Sequence, residues 1–203
     1  MNRIILFLVL ICLVAVSSCR KPVEEITDPV TESSLSRVIL LPNQSNFVKQ
    51  ALYINTDQLK LRAGIEADQL FFFFDAAPSV NNSTGDALLL SINASNLATG
   101  LVKTYSFNQA APTSLHARYV YSSRQSSGDI WSSITDSRFG VVFEGELVIT
   151  GYDSKRKLIS GHYEIKAKNL INDPTVQSVG SPIDPINQCN LTLSGSFKYV
   201  KLP

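Results

Sequence analysis

The stretch Val141-Val142-Phe143-Glu144-Gly145-Glu146-Leu147-Val148-Ile149-Thr150 alternates apolar or Gly residues at odd positions with Glu144, Glu146 and Thr150 at even ones. A period of two is the signature of a strand with one buried face. The polar run Gly151 to Lys157 then reads as a turn, and the alternation resumes beyond it. Ile159, Gly161, Tyr163, Ile165 and Ala167 fall on one side, Ser160, His162, Glu164, Lys166 and Lys168 on the other. Two such strands joined by a short turn predict an antiparallel hairpin with one solvated face.

The same grammar extends in both directions. Towards the C-terminus, Cys189, Leu191, Leu193, Gly195, Phe197 and Tyr199 alternate with polar residues. Towards the N-terminus, strands are predicted over Leu59 to Ala67, Leu70 to Phe74, Ala87 to Ala94, Leu101 to Phe107 and Leu115 to Tyr121, with Phe47 to Ile54 open between strand and short helix. Phe71 to Phe74 are apolar on both faces, which suits a central strand with all four rings in the core. Turn-forming clusters such as Asn81 to Asp86 separate the segments. About eight to ten strands without a long helical window predict an all-β domain over residues 37–203: a single antiparallel β-sandwich, with a lipocalin-like β-barrel as the alternative. Two interruptions, Ser122 to Ser137 and Asn169 to Gln188, are long enough to be read as functional loops.

Composition narrows the function. The chain has 203 residues with 18 Lys+Arg against 17 Asp+Glu, so it offers no basic face for nucleic acid. Two His and three Cys are little material for a metal cluster. No phosphate-binding loop, dinucleotide fingerprint or nucleophile elbow occurs, and no cofactor is expected.

The N-terminus reads as an address. Arg3 precedes an apolar run from Ile4 to Val16, then Ser17, Ser18 and Cys19. Thirteen helical residues span about 20 Å, short of a bilayer core of roughly 30 Å, so a secretory signal over residues 1–18 is favoured over a transmembrane helix. Val16-Ser17-Ser18-Cys19 resembles the lipobox of bacterial lipoproteins, although Leu is commoner where Val16 stands. The resemblance implies cleavage before Cys19, its acylation with palmitate-type chains, and a membrane anchor; Arg20, where inner-membrane retention signals place Asp, implies the outer membrane. Two or three acyl chains would make that anchorage stable, since each buried methylene contributes about 0.8 kcal/mol. Residues 19–36 carry Pro22, Pro29 and four acidic residues without amphipathic period, and are expected to be a flexible tether. Loss of residues 1–18 removes Arg3 and leaves 17 charges of each sign. With Cys12 removed and Cys19 acylated, Cys189 has no disulfide partner.

The run Gly145 to Thr150, the Ile159-Ser160-Gly161-His162-Tyr163-Glu164-Ile165 strand and the closing Leu193-Ser194-Gly195-Ser196-Phe197 strand resemble small Bacteroidota envelope lipoproteins of domain-of-unknown-function families. The resemblance spans about Gln58 to the end. It implies an envelope location and a β fold, and carries no activity or functional residues to transfer.

Three constellations bear on chemistry. His162, Glu164, Glu144 and Glu146 could gather into an acid-base or weak metal site, but the alternation demands a polar outer face, so cross-strand charge pairs are expected instead. Cys189 lies on the inward side of its strand, where a thiol acts as a small buried hydrophobe. Trp131 in its Ser-rich segment is the one aromatic the strand pattern does not explain; with Tyr119, Tyr121 and Arg118 or Arg124 it could stack a sugar ring, although Tyr119 and Tyr121 follow the apolar side of their strand. Trp131 and Arg124 are thus the candidate binding residues. The expected function is non-enzymatic: a lipid-anchored module that binds a glycan or an envelope protein, or scaffolds. A carrier of an apolar ligand in a barrel interior and a hydrolase with a site no motif reveals remain the alternatives.

Overall fold

A computed structural model describes residues 27–54, 58–76, 83–93, 100–107, 115–125, 128–135, 141–176 and 184–203. Cys19 and the signal segment lie outside these residues. Eleven strands run in order among the described residues: β1 (Glu32–Leu41), β2 (Phe47–Ile54), β3 (Lys60–Glu66), β4 (Gln69–Ala76), β5 (Thr84–Asn93), β6 (Thr104–Ser106), β7 (Leu115–Gln125), β8 (Gly128–Thr135), β9 (Phe143–Asp153), β10 (Leu158–Leu170) and β11 (Cys189–Lys201). They form a six-stranded sheet, β2-β1-β11-β10-β9-β6, and a five-stranded sheet, β3-β4-β5-β7-β8. Every pairing is antiparallel.

The two sheets pack face to face as a β-sandwich and do not close into a barrel. Phe72 and Phe74 of β4 meet Phe197 and Tyr163 of the other sheet, with ring centroids 4.8 Å apart in the Phe72–Phe197 and Phe74–Tyr163 pairs. Such contacts contribute about 0.5–1.5 kcal/mol each beyond area burial. Leu35, Ile39, Leu88, Leu90, Ile149 and Ile165 complete a filled interior. Each sheet keeps two open edges and they do not close on one another, which overturns the barrel alternative.

The 141–168 stretch forms the predicted hairpin, β9 and β10, with Tyr163 opposite Leu147 and Glu164 opposite Glu146. Gly145 has φ +111°, and a Cβ there would fall 2.0 Å from the Glu164 carbonyl oxygen. Only glycine fits this close crossing of backbones.

Four expectations are corrected and one left open is settled. The strand count exceeds eight to ten because β1 starts at Glu32, inside the segment expected to be tether, and pairs with both β2 and β11. Phe47 to Ile54 is a strand, since β1 supplies a ladder for it. Most of Ser122 to Ser137 is a hairpin, because β7 continues to Gln125 and pairs with β8; serines tolerate strand geometry when a neighbour provides hydrogen bonds. Phe71 and Phe73 lie on the outer face, half-buried, because the strict alternation of β4 gives the sandwich interior only to Leu70, Phe72 and Phe74. Tyr199 points outward at 42% exposure: its φ of +56° marks a bulge between the Phe197–Gly161 and Val200–Ile159 pairs that resets the alternation to Val200.

Candidate functional site

Strand register places the candidate residues by face. Across the five-stranded sheet, Arg62, Phe73, Leu89 and Arg118 lie in one cross-strand row, and Phe71 is opposite Ser91. Alternate residues of β4 and β5, namely Phe72, Phe74, Leu88 and Leu90, are fully buried, so this row belongs to the outer face. There the Arg62 guanidinium carbon stands 5.1 Å from the Phe73 ring centroid, a cation–π contact. Arg62, Phe71, Phe73, Leu89, Lys201 and Pro203 line an open groove of about 1030 Å³. The groove's wall also contains Glu66, and exposed His116 of β7 stands opposite the groove's Ser91.

Trp131 stands on β8 opposite Ser122, which is opposite Gly85 of β5. It is 52% exposed. Arg124 is exposed two residues along β7 from Ser122, on the same outer face and diagonal to Trp131. The structure therefore brings Trp131 and Arg124 onto one surface with the aromatic groove. Four residues along the strands and three strands across separate Trp131 from Phe73, roughly 20 Å. Arg118 also faces outward, and its Nε donates to Ser133 Oγ at 3.2 Å.

Tyr119 and Tyr121 point the other way, into the sandwich, and take no part in that surface. They belong to a buried polar cluster. Asp86 of β5 accepts from Arg37 Nε at 3.0 Å and from Tyr53 Oη at 2.6 Å, and also from Tyr119 Oη. Asp86 is 1% exposed and Arg37 7%. The guanidinium stacks over Tyr121 at 5.5 Å. Burial, the largest single influence, works against the charge of Arg37, but Asp86 together with Tyr119 and Tyr53 outweighs it and holds the guanidinium above its ordinary pKa. Burial, then the Asp86 charge, pushes the Tyr53 and Tyr119 hydroxyls well above theirs. Both stay protonated and donating. Asp86 thus has both oxygens occupied by protein donors, with no path to solvent, so this cluster ties the sheets together and is not a place for a substrate.

Sequence reasoning missed Arg37 and Asp86. Arg37 stands between Leu35 and Ile39, and Asp86 two residues before Leu88, each in the inward phase of its strand. That phase was the available signal; Asp86 was instead assigned to a turn.

The remaining constellations are resolved as surface or core. Lys166 Nζ lies 2.6 Å from Glu164 and Lys168 Nζ 2.7 Å from Glu144, all exposed, and His162 is exposed on the same face. Among the described residues no three His, Cys, Asp or Glu side chains gather as a metal site. Cys189 is 1% exposed, and burial pushes its thiol pKa up to about 12. In the 169–188 segment, Asp173 is fully buried, with Lys49 Nζ of β2 at 2.7 Å, and Ser132 of β8 donates to the Pro174 carbonyl at 3.0 Å. This part of the loop straps the sandwich between β2 and β8.

No family model matches the chain, and neither the curated proteins nor the solved structures contain a match.

Proposed function

We propose that this chain is a lipid-anchored cell-envelope lipoprotein, held at the outer membrane through Cys19, whose β-sandwich is a non-enzymatic binding module for a glycan. The observation that carries the binding reading is the outer face of the five-stranded sheet, where Trp131 is 52% exposed on the same surface as Arg124 and the Phe71–Phe73 groove. A strand face without a binding task is ordinarily polar. Exposed aromatic faces flanked by cations suit sugar rings, whose C–H faces stack on aromatics while their hydroxyls accept from guanidinium groups. An open groove also suits a long polymer better than a small substrate, which pockets enclose.

Affinity electrophoresis through gels containing soluble bacterial envelope polysaccharide tests the reading. Retardation of the wild-type chain, reduced at least fivefold in Trp131→Ala and in Phe73→Ala, is expected. Equal mobility of all three with and without polysaccharide contradicts it.

A further inference from the structure

Four exposed lysines of the sandwich each hold a carboxylate: Lys166 and Glu164 at 2.6 Å, Lys168 and Glu144 at 2.7 Å, Lys198 and Glu32 at 2.9 Å, and Lys201, on the groove's rim, and Asp28 at 2.8 Å. On the outer face of the five-stranded sheet, Lys60 stands opposite Asp75 in the β3–β4 register.

Arg62 and Arg118 differ. Both are exposed on that outer face. The Arg62 guanidinium lies against the Phe73 ring, and Arg118 uses its Nε on the uncharged Ser133 hydroxyl. Among the described residues neither guanidinium has a carboxylate partner. Glu66 stands four residues further along β3 from Arg62, roughly 13 Å away. The two arginines end the cross-strand row Arg62, Phe73, Leu89, Arg118, three strand spacings or roughly 14 Å apart, so two unneutralised cations flank an uncharged floor.

We propose, resting on the glycan-binding reading above, that the ligand of this face is an acidic polysaccharide whose carboxylates pair with Arg62 and Arg118 while the sugar rings between them lie on Phe73 and Leu89. Arginine at both ends fits this chemistry, since the planar guanidinium meets a carboxylate through two parallel hydrogen bonds, each roughly twice as strong as a neutral one. A neutral polymer would dehydrate both guanidinium groups without supplying a counter-charge. Ser133 holds Arg118 towards β8, away from Arg62, so an acid repeated along one chain serves both arginines better than a single carboxylate does. The chain as a whole has 18 Lys+Arg against 17 Asp+Glu, so the selectivity is local to these two residues and not a field of the entire surface.

Calorimetric titration of the full chain in detergent micelles with polygalacturonate, alginate and hyaluronate, each beside its carboxyl-reduced neutral form, tests this. At least one acidic polymer should bind tenfold or more tightly than its neutral form, and should lose affinity as sodium chloride is raised from about 50 to about 500 mM. Arg62→Gln and Arg118→Gln, at exposed positions, should each keep the thermal midpoint and cut that preference at least fivefold, and Arg62→Lys should recover only part of it. Equal, salt-insensitive binding of acidic and neutral forms overturns the acidic assignment and leaves the glycan reading standing. Binding to none of these polymers overturns both. A preference for the acidic form that both glutamine variants retain, or an equal affinity for single-stranded DNA, overturns the assignment to these arginines.

Discussion

The Nε of Arg37 lies 3.0 Å from Oδ1 of Asp86, and the two residues belong to opposite sheets of the sandwich. A charged pair this deeply buried is weak evidence of net stability, because desolvation offsets much of the attraction. Its consequence is specificity. Removing one partner strands the other's charge among Tyr53, Tyr119 and Tyr121, so sheets that slid relative to each other would carry that penalty.

Asp86→Leu and Arg37→Met should therefore each destabilise by about 3–5 kcal/mol, measured by urea unfolding. The double variant should cost less than the two singles together, with a coupling of about 1–3 kcal/mol. Strict additivity would show that the pair does not act as a unit.

The buried Cys189 gives a pH-dependent expectation. Its folded-state pKa is raised from 9.0 to about 12, so the stability it contributes is fully present below pH 9 and lost as pH rises towards 12. Tyr53 and Tyr119, also raised, act in the same direction above pH 10. The urea midpoint should fall steeply between pH 9 and 12, and less steeply in Cys189→Ala. At pH 8 Cys189 should resist iodoacetamide until denaturant is added; rapid native labelling would place the thiol at the surface.

Much of the fold was legible because β9, β10 and most of β11 each bury one face and wet the other. Legibility failed where a local rule was overridden. The bulge at Tyr199 reset the phase of β11, and the alternation of β4 turned Phe71 and Phe73 to the outer, half-buried face although their composition matched a central strand. Arg37 and Asp86 were hidden for a different reason. Alternation predicts which way a residue points but not that a charge pointing inward will find its partner on another sheet, 49 residues away. Of the candidate binding surface, Trp131 was visible as the aromatic the strand pattern does not explain and Arg124 as a cation that could assist it; the groove at Phe73 emerged only from register.

The β3–β4 turn carries a correctable strain. Ala67 and Asp68 both adopt positive φ, +45° and +62°, between paired Glu66 and Gln69. Two such residues in a two-residue hairpin loop form a type I′ turn, which favours Asn-Gly. Ala67→Asn with Asp68→Gly should raise stability by about 1 kcal/mol, read as a higher melting temperature in calorimetry. An unchanged or lower midpoint would show that the turn is not strained.

The proposed function places the binding face in the envelope only if Cys19 is acylated and holds the sandwich there. Fractionation of a Gram-negative host expressing the full chain is the most direct measurement, with the mass of the purified mature chain as its companion. Wild-type protein should sediment with outer membranes and carry acyl chains on an N-terminal Cys19, whereas Cys19→Ala should appear in the soluble fraction. A Cys19→Ala protein that remains in the membrane pellet, or a wild-type chain without acylation, would contradict the account.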